Sequence, residues 1–458
     1  MAEHNFDVVI LGGGSGGYAA ALRSAQLGKT VALIEKDKLG GTCLHRGCIP
    51  TKALLHSAEV ADTVKDSAHY GVNSQFGSID MTAVNSYRDG IVDKLFKGLT
   101  GLVNSKSINV VAGEGRMVGP KTIQVGEDTY TGVNLVLASG SYSKSLPGLE
   151  IGGRVITSEH ALQMTFVPNK VIVLGGGVIG VEFASIWRSF GTEVTIIEGL
   201  PNLVPNEDPA ISKALERAYR KRGIEFKTGV RFSGVEQHEN GVIVSLESGE
   251  KVEAELMLVA VGRGPNTDGL GYAENGVNMD RGYVLTNDRL ETSVAGTYTA
   301  GDIVPGLQLA HRGFQQGIFI AEEIAGLKPA TIDENGIPKV TYCEPEIASV
   351  GLTEAKAAEK FGAENISTYE YNLGGNGKSQ ILGTAGFIKL IRQNNGPVLG
   401  VHMIGSRVGE QIGETQLIVN WEAYPEDVAS LIHAHPTMNE AIGEAHLALA
   451  GKPLHAHA

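Results

Sequence analysis

The sequence predicts an α/β protein: two Rossmann-like dinucleotide-binding units on parallel sheets, followed by a C-terminal α+β domain. Three observations predict it. A Gly-x-Gly-x-x-Gly loop occurs twice, each time after an apolar run and before a helix-like stretch. In both copies an acidic residue follows the next strand at the same distance from the first glycine. From about Val340 onward the glycine loops stop, and strands are followed by amphipathic helices.

The first strand is expected over Phe6 to Leu11, an apolar run of the kind covered on both faces. Gly12, Gly14 and Gly17 follow, then a helix from Tyr18 to Gly28 and a strand from Thr30 to Ile34 that ends at Glu35. The unit recurs as a strand over Val171 to Leu174, then Gly175, Gly177 and Gly180. A helix over Val181 to Gly191 and a strand over Val194 to Ile197 complete it, ending at Glu198. Such a loop brings backbone N–H groups and a helix N-terminus to a pyrophosphate, while the acid accepts from a ribose hydroxyl. One loop alone would be weak evidence. Two loops with matched acids mean that the chain binds two dinucleotides. A third signal, TYTAGD at 297–302, sets the Asp302 carboxylate after a strand. In the last part, strands are expected over Gly386 to Arg392 and Pro397 to Ile404, with helices over Gly409 to Trp421 and Met438 to Ala450.

Composition bounds what such a protein can do. A length of 458 residues suggests about three domains at roughly 150 residues each. Lys and Arg number 38 against 51 Asp and Glu, a net charge of −13, which argues against nucleic acid or an acidic membrane face as partner. Hydrophobic content of 42% with 19% charged residues is that of a soluble globular chain, and 61 glycines are about twice ordinary usage. Three cysteines are too few for a disulfide-stapled secreted fold. No window approaches the roughly 18 apolar residues of a membrane span, and MAEHNFDVVILGGG runs into a strand without the layout of a signal peptide. The expected location is cytoplasmic and reducing, which makes a close cysteine pair informative.

That pair lies in GGTCLHRGCIPTK, Gly40 to Lys52. Cys43 and Cys48 follow the first dinucleotide unit, and Pro50 stands where a helix is expected to start, before helical spacing of Ala, Leu and Val over Lys52 to Tyr70. A thiol at a helix N-terminus is stabilised as thiolate, the form that attacks or receives electrons. A zinc site lacks a second cysteine pair to complete it, and Cys343 in TYCEPE reads as a packed small side chain. Near the far end, HAHPTMNEAIGE holds His433, His435, Pro436 and Glu440. A histidine oriented by a carboxylate can move the proton as a disulfide opens and closes. Read alone these residues also suit a loop and helix cap, and spacing does not place them near Cys43.

Together these motifs resemble the flavoprotein pyridine nucleotide-disulfide oxidoreductases, and within them the branch that oxidises dihydrolipoamide. The resemblance covers nearly the whole chain. It implies an FAD-binding domain over 1–145, an NAD-binding domain over 146–270, a second FAD-binding or central part over 271–339 and a dimerisation domain over 340–458. FAD would be held by Gly12, Gly14, Gly17, Glu35 and Lys36, with Gly41, Thr42 and Lys52 near the flavin. Gly115, Ser139, Gly140, Ser141, Asp302, Gln308, Leu309, Ala310 and His311 would line the rest. NAD would be held by Gly175, Gly177, Val178, Ile179, Gly180, Glu182, Glu198 and Gly262. NADP is disfavoured, since Glu198 is followed by Gly199 and Leu200 rather than by basic residues.

The family works as homodimers, so His435 and Glu440 of one subunit would complete the site around Cys43 of the other. Dihydrolipoamide would be oxidised through the Cys43–Cys48 disulfide and FAD to NAD. The partners implied are lipoyl domains and core acyltransferase subunits of 2-oxo-acid dehydrogenase complexes. One departure is that many members have Asn-Val where this chain has His45 and Arg46; His45 is expected as a solvent-facing loop residue.

Overall fold

The computed structural model describes residues 2–456 of the chain. Its first sheet has seven strands. They include β1 (Glu3–Leu11), β2 (Val31–Glu35), β3 (Asn109–Ala112), β4 (Gly115–Gly119), β5 (Thr122–Val125) and β6 (Asp128–Leu137). The order is β3-β2-β1-β6-β5-β4, with Thr297–Thr299 pairing on β6. β1 lies parallel to β2 and β6, and β4 to β6 form an antiparallel meander on the edge. β1 starts earlier than its apolar run because Glu3 to Phe6 pair with Thr129 to Gly132 of β6. Those first residues alternate between exposed and half-buried, so only the second half shows the apolar signal of a doubly covered strand. There Val8, Val9 and Ile10 are fully buried, each contributing about 1.5–3 kcal/mol.

The helix after the first glycine loop, α1 (Ser15–Gln26), also opens earlier than the expected Tyr18. Its first turn includes Gly16 and Gly17, since a side chain is excluded there. A Cβ at Gly17 would stand 1.7 Å from the carbonyl oxygen of Gly12. The opposing helix Ala310–Ile324 comes equally close: a Cβ on Gly317 would stand 2.3 Å from the Gly16 oxygen.

Two helices carry the cysteine segment. The short α2 (Gly41–Arg46) turns at Gly47 into α3 (Cys48–Asp66), which packs on α4 (Met81–Ser105) and on the later helix Val178–Phe190. The structure starts α3 at Cys48 rather than near Pro50. Proline still fits, because its missing N–H falls in a first turn whose N–H groups have no intrahelical partner.

A second sheet of five parallel strands repeats the design. Its order is Glu225–Thr228, Glu193–Glu198, Lys170–Leu174, Leu256–Val259 and Val155–Ile156. Helix Val178–Phe190 is buried along most of its length beneath it. The first two sheets are joined by a two-stranded ribbon, Ser141–Ser143 against Arg263–Pro265.

The C-terminal region is an antiparallel sheet in the order Lys339–Thr341, Glu346–Gly351, Val398–Gly405, Phe387–Gln393 and Ile366–Asn372. It is covered by the helices Val408–Asn420 and Glu440–Leu449. Among the described residues no helix is long and apolar enough to cross a membrane.

Candidate active site

The two glycine loops share one stereochemical plan. Gly12 has φ +105° and Gly175 has φ +111°, left-handed values that a side chain would strain. A Cβ on either would also strike a strand carbonyl, that of Ala138 at 2.1 Å or of Ala260 at 2.4 Å. The third glycines, Gly17 and Gly180, lie as tightly on the carbonyls of Gly12 and Gly175. The middle glycines differ from these, because Gly177 faces open space and Gly14 meets only the Cα of Gly41 at 4.0 Å. Packing therefore explains the outer glycines, and the middle ones leave room for a ligand to touch backbone.

The acids are placed alike. Glu35 accepts from Gly13 N at 2.6 Å and Asp37 N at 2.8 Å; Glu198 accepts from Gly176 N at 2.6 Å and Leu200 N at 2.7 Å. Each braces its loop and retains lone pairs for a ribose hydroxyl. This fits a dinucleotide in both units.

Other expected cofactor contacts converge on the first unit. Gly12, Glu35, Lys36, Gly115, Ser139 and Asn266 line one pocket. Lys36 pairs at its rim with Glu114 at 3.4 Å. Ser141 Oγ donates to Asp302 at 2.5 Å and accepts from Arg263 Nε at 2.7 Å. Gln308 donates to the Asp302 carbonyl at 3.3 Å, and Leu309 caps the helix that Ala310 and His311 begin. His311 is tied by Nε2 to the Pro338 carbonyl at 2.8 Å. Gly140 (φ +78°) accepts from Asn266 N, and Gly262 (φ +105°) lies in open space on the side of the second unit.

Between the units lies the cysteine pair. Cys43 sits in α2 beside Thr42, and Cys48 is the first residue of α3. Both are free thiols, half-buried. The Cys43 thiol hydrogen-bonds Cys48 and is itself pushed up by that bond and by burial. The same bond pulls Cys48 down from 9.0 to about 7, against its burial, with Lys52 adding to the effect. The thiolate form is therefore favoured at Cys48, at a helix N-terminus suited to it.

Lys52, one turn along, places Nζ 2.9 Å from both oxygens of Glu182. Burial works against the ammonium, but Glu182 outweighs it and keeps Lys52 charged. The Glu182 carboxylate is thus shared between Lys52 and the backbone N–H of Tyr342 at 3.0 Å, although Val178, Ile179 and Gly180 of the same segment open the helix at the second glycine loop. Tyr342 also lies with its ring 4.7 Å from Lys52 Nζ. Sequence reasoning missed Tyr342, because a lone aromatic beside a buried cysteine carries no periodic or spacing signal.

His45 departs from expectation. It belongs to α2, with Nε2 bonded to the Leu39 carbonyl at 2.9 Å and its ring edge on Phe96 at 5.1 Å, so it is a packed residue rather than a solvent-facing one. The glycine-rich Leu39–Gly41 turn folds back on α2, and sequence spacing does not show that turn. Arg46 is exposed and paired with Asp37. Cys343 is buried, with its thiol on the Pro345 carbonyl at 3.2 Å, a packed side chain as expected.

His435 stands apart from this cluster within the chain. Its side chain is 78% exposed, with Nδ1 2.8 Å from Glu440 Oε1. Glu440 opens the helix Glu440–Leu449 and also accepts from Thr437 N at 2.7 Å. Despite its partial burial, these two bonds hold its carboxyl below the usual range. The imidazole is oriented, and its other nitrogen faces outward.

The chain is similar to known proteins along nearly its whole length. Residues 6–317 match the family model described as pyridine nucleotide-disulphide oxidoreductase, and residues 337–446 match the dimerisation domain of the same name. A dihydrolipoyl dehydrogenase of Bacillus subtilis is 42% identical over 98% of this chain and 99% of its own length. The mitochondrial dihydrolipoyl dehydrogenase of Pisum sativum is 39% identical over 98% of this chain and 92% of its own. The crystal structure of LpdA from Mycobacterium tuberculosis superposes with a TM-score of 0.89 at 25% identity, covering 98% of this chain and all of that one.

Proposed function

Since the chain belongs to the pyridine nucleotide-disulphide oxidoreductase family, we propose that it is a dihydrolipoyl dehydrogenase, an FAD-containing enzyme that oxidises dihydrolipoamide and reduces NAD. The observation that carries the reading is the Cys43–Cys48 pair, set between two dinucleotide loops with Cys48 as the first residue of α3. Residues Gly12 to Gly17, Glu35 and Lys36 hold FAD, together with Gly115, the Ser139–Ser141 turn, Asp302 and the Gln308–His311 segment. The loop from Gly175 to Gly180, with Glu198 and Gly262, holds NAD. When bound, FAD joins thiolate chemistry to hydride chemistry, which disulfide exchange and nicotinamide cannot do directly.

The protein residues perform the dithiol half-reaction. With Cys43 and Cys48 joined as a disulfide, a thiolate of dihydrolipoamide attacks Cys43 Sγ. The bond between the two cysteines breaks, and Cys48 leaves as a thiolate held by the α3 N-terminus and Lys52. The second substrate thiol gives its proton to Nε2 of His435 of the partner subunit. It then attacks the substrate sulfur of the mixed disulfide, which frees lipoamide and releases Cys43. Glu440 accepts from His435 Nδ1–H and so directs the basic lone pair to Nε2.

The enzyme is a homodimer, which the dimerisation domain supports. We place its work on lipoyl domains bound to core acyltransferase subunits of 2-oxo-acid dehydrogenase complexes, in the cytoplasm. The domain limits 1–145, 146–270, 271–339 and 340–458 belong to the same proposal.

An anaerobic absorbance titration tests it, first with dihydrolipoamide and then with NADH. A yellow flavin spectrum that gains a long-wavelength thiolate-to-flavin band with either reagent is expected. Flavin reduced by NADH but untouched by dihydrolipoamide would overturn the substrate. A colourless protein that cannot be reconstituted with FAD would overturn the whole reading.

A further inference from the structure

The segment that carries His435 lies between the helices Pro425–Ala429 and Glu440–Leu449 and has no regular secondary structure of its own. Its tip is bare, with Ile432 fully exposed and Leu431 61% exposed. Its own subunit anchors the segment from within. The anchor is a second imidazole–carboxylate pair that faces inward.

His433, only 13% exposed, sets Nε2 2.8 Å from Glu414 Oε1 on the helix Val408–Asn420. The other Glu414 oxygen accepts from Asn439 Nδ2 at 2.7 Å. One carboxylate therefore grips the chain on both sides of His435. Beneath the His433 ring is Gly443, where a Cβ would stand 2.5 Å from Nδ1, so the imidazole lies directly on the helix Glu440–Leu449. The buried Asn376 adds a bond from Nδ2 to the Thr437 carbonyl at 3.0 Å.

The charged and titratable groups around His433 are Glu414, Glu440 and His446. The Glu414 bond raises His433's proton affinity against its burial. Burial pushes His446 down to about 4, so it stays neutral.

We propose that His433 and Glu414 are positioning residues that hold His435 toward Cys43 of the partner subunit, so that the rate of dithiol oxidation depends on a pair that touches no substrate. This rests on the dithiol reaction proposed above.

The test uses the dimeric holoenzyme and two assays: dihydrolipoamide oxidation with NAD, and NADH-driven reduction of ferricyanide, which needs neither cysteine nor histidine. His433→Gln and Glu414→Gln are each expected to lower kcat for dihydrolipoamide by up to about 10²-fold, the scale of a misplaced catalytic group. The double variant should fall no further than the singles, because the two act as one unit. Ferricyanide reduction, flavin content and dimer mass should stay at wild-type values. Gly443→Ala, which displaces the ring with both charged groups intact, should show the same selective loss. Unchanged dihydrolipoamide kcat in the variants would overturn the inference, and so would an equal fall of both activities, the mark of a damaged fold. If the wild-type enzyme itself failed to oxidise dihydrolipoamide, the parent reading would fall and take this one with it.

Discussion

The two glycine loops are near copies, and they part at a single point. In the first, the Gly13 carbonyl accepts from Gly40 N and the space beside Gly13 is filled by Leu39. In the second, the Gly176 carbonyl accepts from Val204 N and the matching space is filled by Leu203. After that shared latch, the first chain turns at Gly41, whose Cβ position is 2.8 Å from Gly14 Cα, and enters the redox helices. Among the described residues nothing comparable covers Gly177, and Val178 beside it is 44% exposed. The same phosphate-binding device is thus roofed by the cysteine segment in one unit and open to solvent in the other. A roofed loop suits a cofactor that stays, and an open one suits a cofactor that must leave after each turnover.

Breaking each loop separately should break different halves of the cycle, and this is the largest effect expected. Gly177→Val fills open space without a clash, so the protein should remain folded and yellow. Dihydrolipoamide should still alter its flavin spectrum while turnover with NAD is lost. Gly41→Val pushes on Gly14 and should release most of the flavin during purification. If both variants lost flavin equally, the distinction between roofed and open loops would be wrong.

Next in size are the groups beneath the roof. Cys48→Ser should abolish dihydrolipoamide oxidation and leave NADH-driven ferricyanide reduction standing. His435→Gln should slow the dithiol reaction by about 10²–10⁴-fold, the usual cost of a lost general base, with FAD content unchanged. Near-normal rates in stopped-flow mixing with dihydrolipoamide would remove His435 from the reaction.

The acids sharpen the comparison at a smaller scale. Glu198→Ser removes a hydrogen bond from a charged group to an exchangeable ligand, about 1.5–3 kcal/mol or roughly tenfold to a hundredfold in NAD affinity. Preference over NADP should narrow with it. Glu35→Ser removes the matching group from a roofed site, and retained flavin should change less. Steady-state kcat/KM for both nucleotides and flavin content per subunit report the two results.

The smallest effect concerns pH. Cys48 is lowered from 9.0 to about 7. The thiolate band of the reduced enzyme should therefore be present above about pH 7 and fade as pH falls through that value. Lys52→Met should move the midpoint upward. A midpoint unmoved by that change would mean that the Cys43 hydrogen bond and the helix N-terminus hold the thiolate without Lys52.

Much of this was legible in the residues. The glycines and acids are readable because their spacing is local: a strand, a tight turn and a helix leave few alternatives for that pattern. The cysteine pair is readable for the same reason. Strand and helix starts were less so. β1 gains three residues by pairing with β6, far along the chain, and α1 begins inside its glycine loop, where a Cβ at Gly16 would meet Ala300 and one at Gly17 the Gly12 carbonyl. His45 was misjudged because its partners, Leu39 and Phe96, meet it only after the turn and α4 have packed.

What the sequence alone determined is the chemistry: two dinucleotide loops, a redox pair at a helix start, and a histidine with a carboxylate. Each is a short-range arrangement, and short-range geometry follows from residue type and spacing. What only the tertiary structure decided is how these parts are charged and held. Glu182, on the helix that opens at the second loop, is committed to Lys52 beside Cys48, and the backbone of Tyr342 from the C-terminal sheet region meets it there. Glu414 reaches His433 and Asn439 from another helix. These pairings depend on which surfaces bury one another, and that is settled by the packing of the whole chain, since a buried charge is tolerated only where its partner is brought to it.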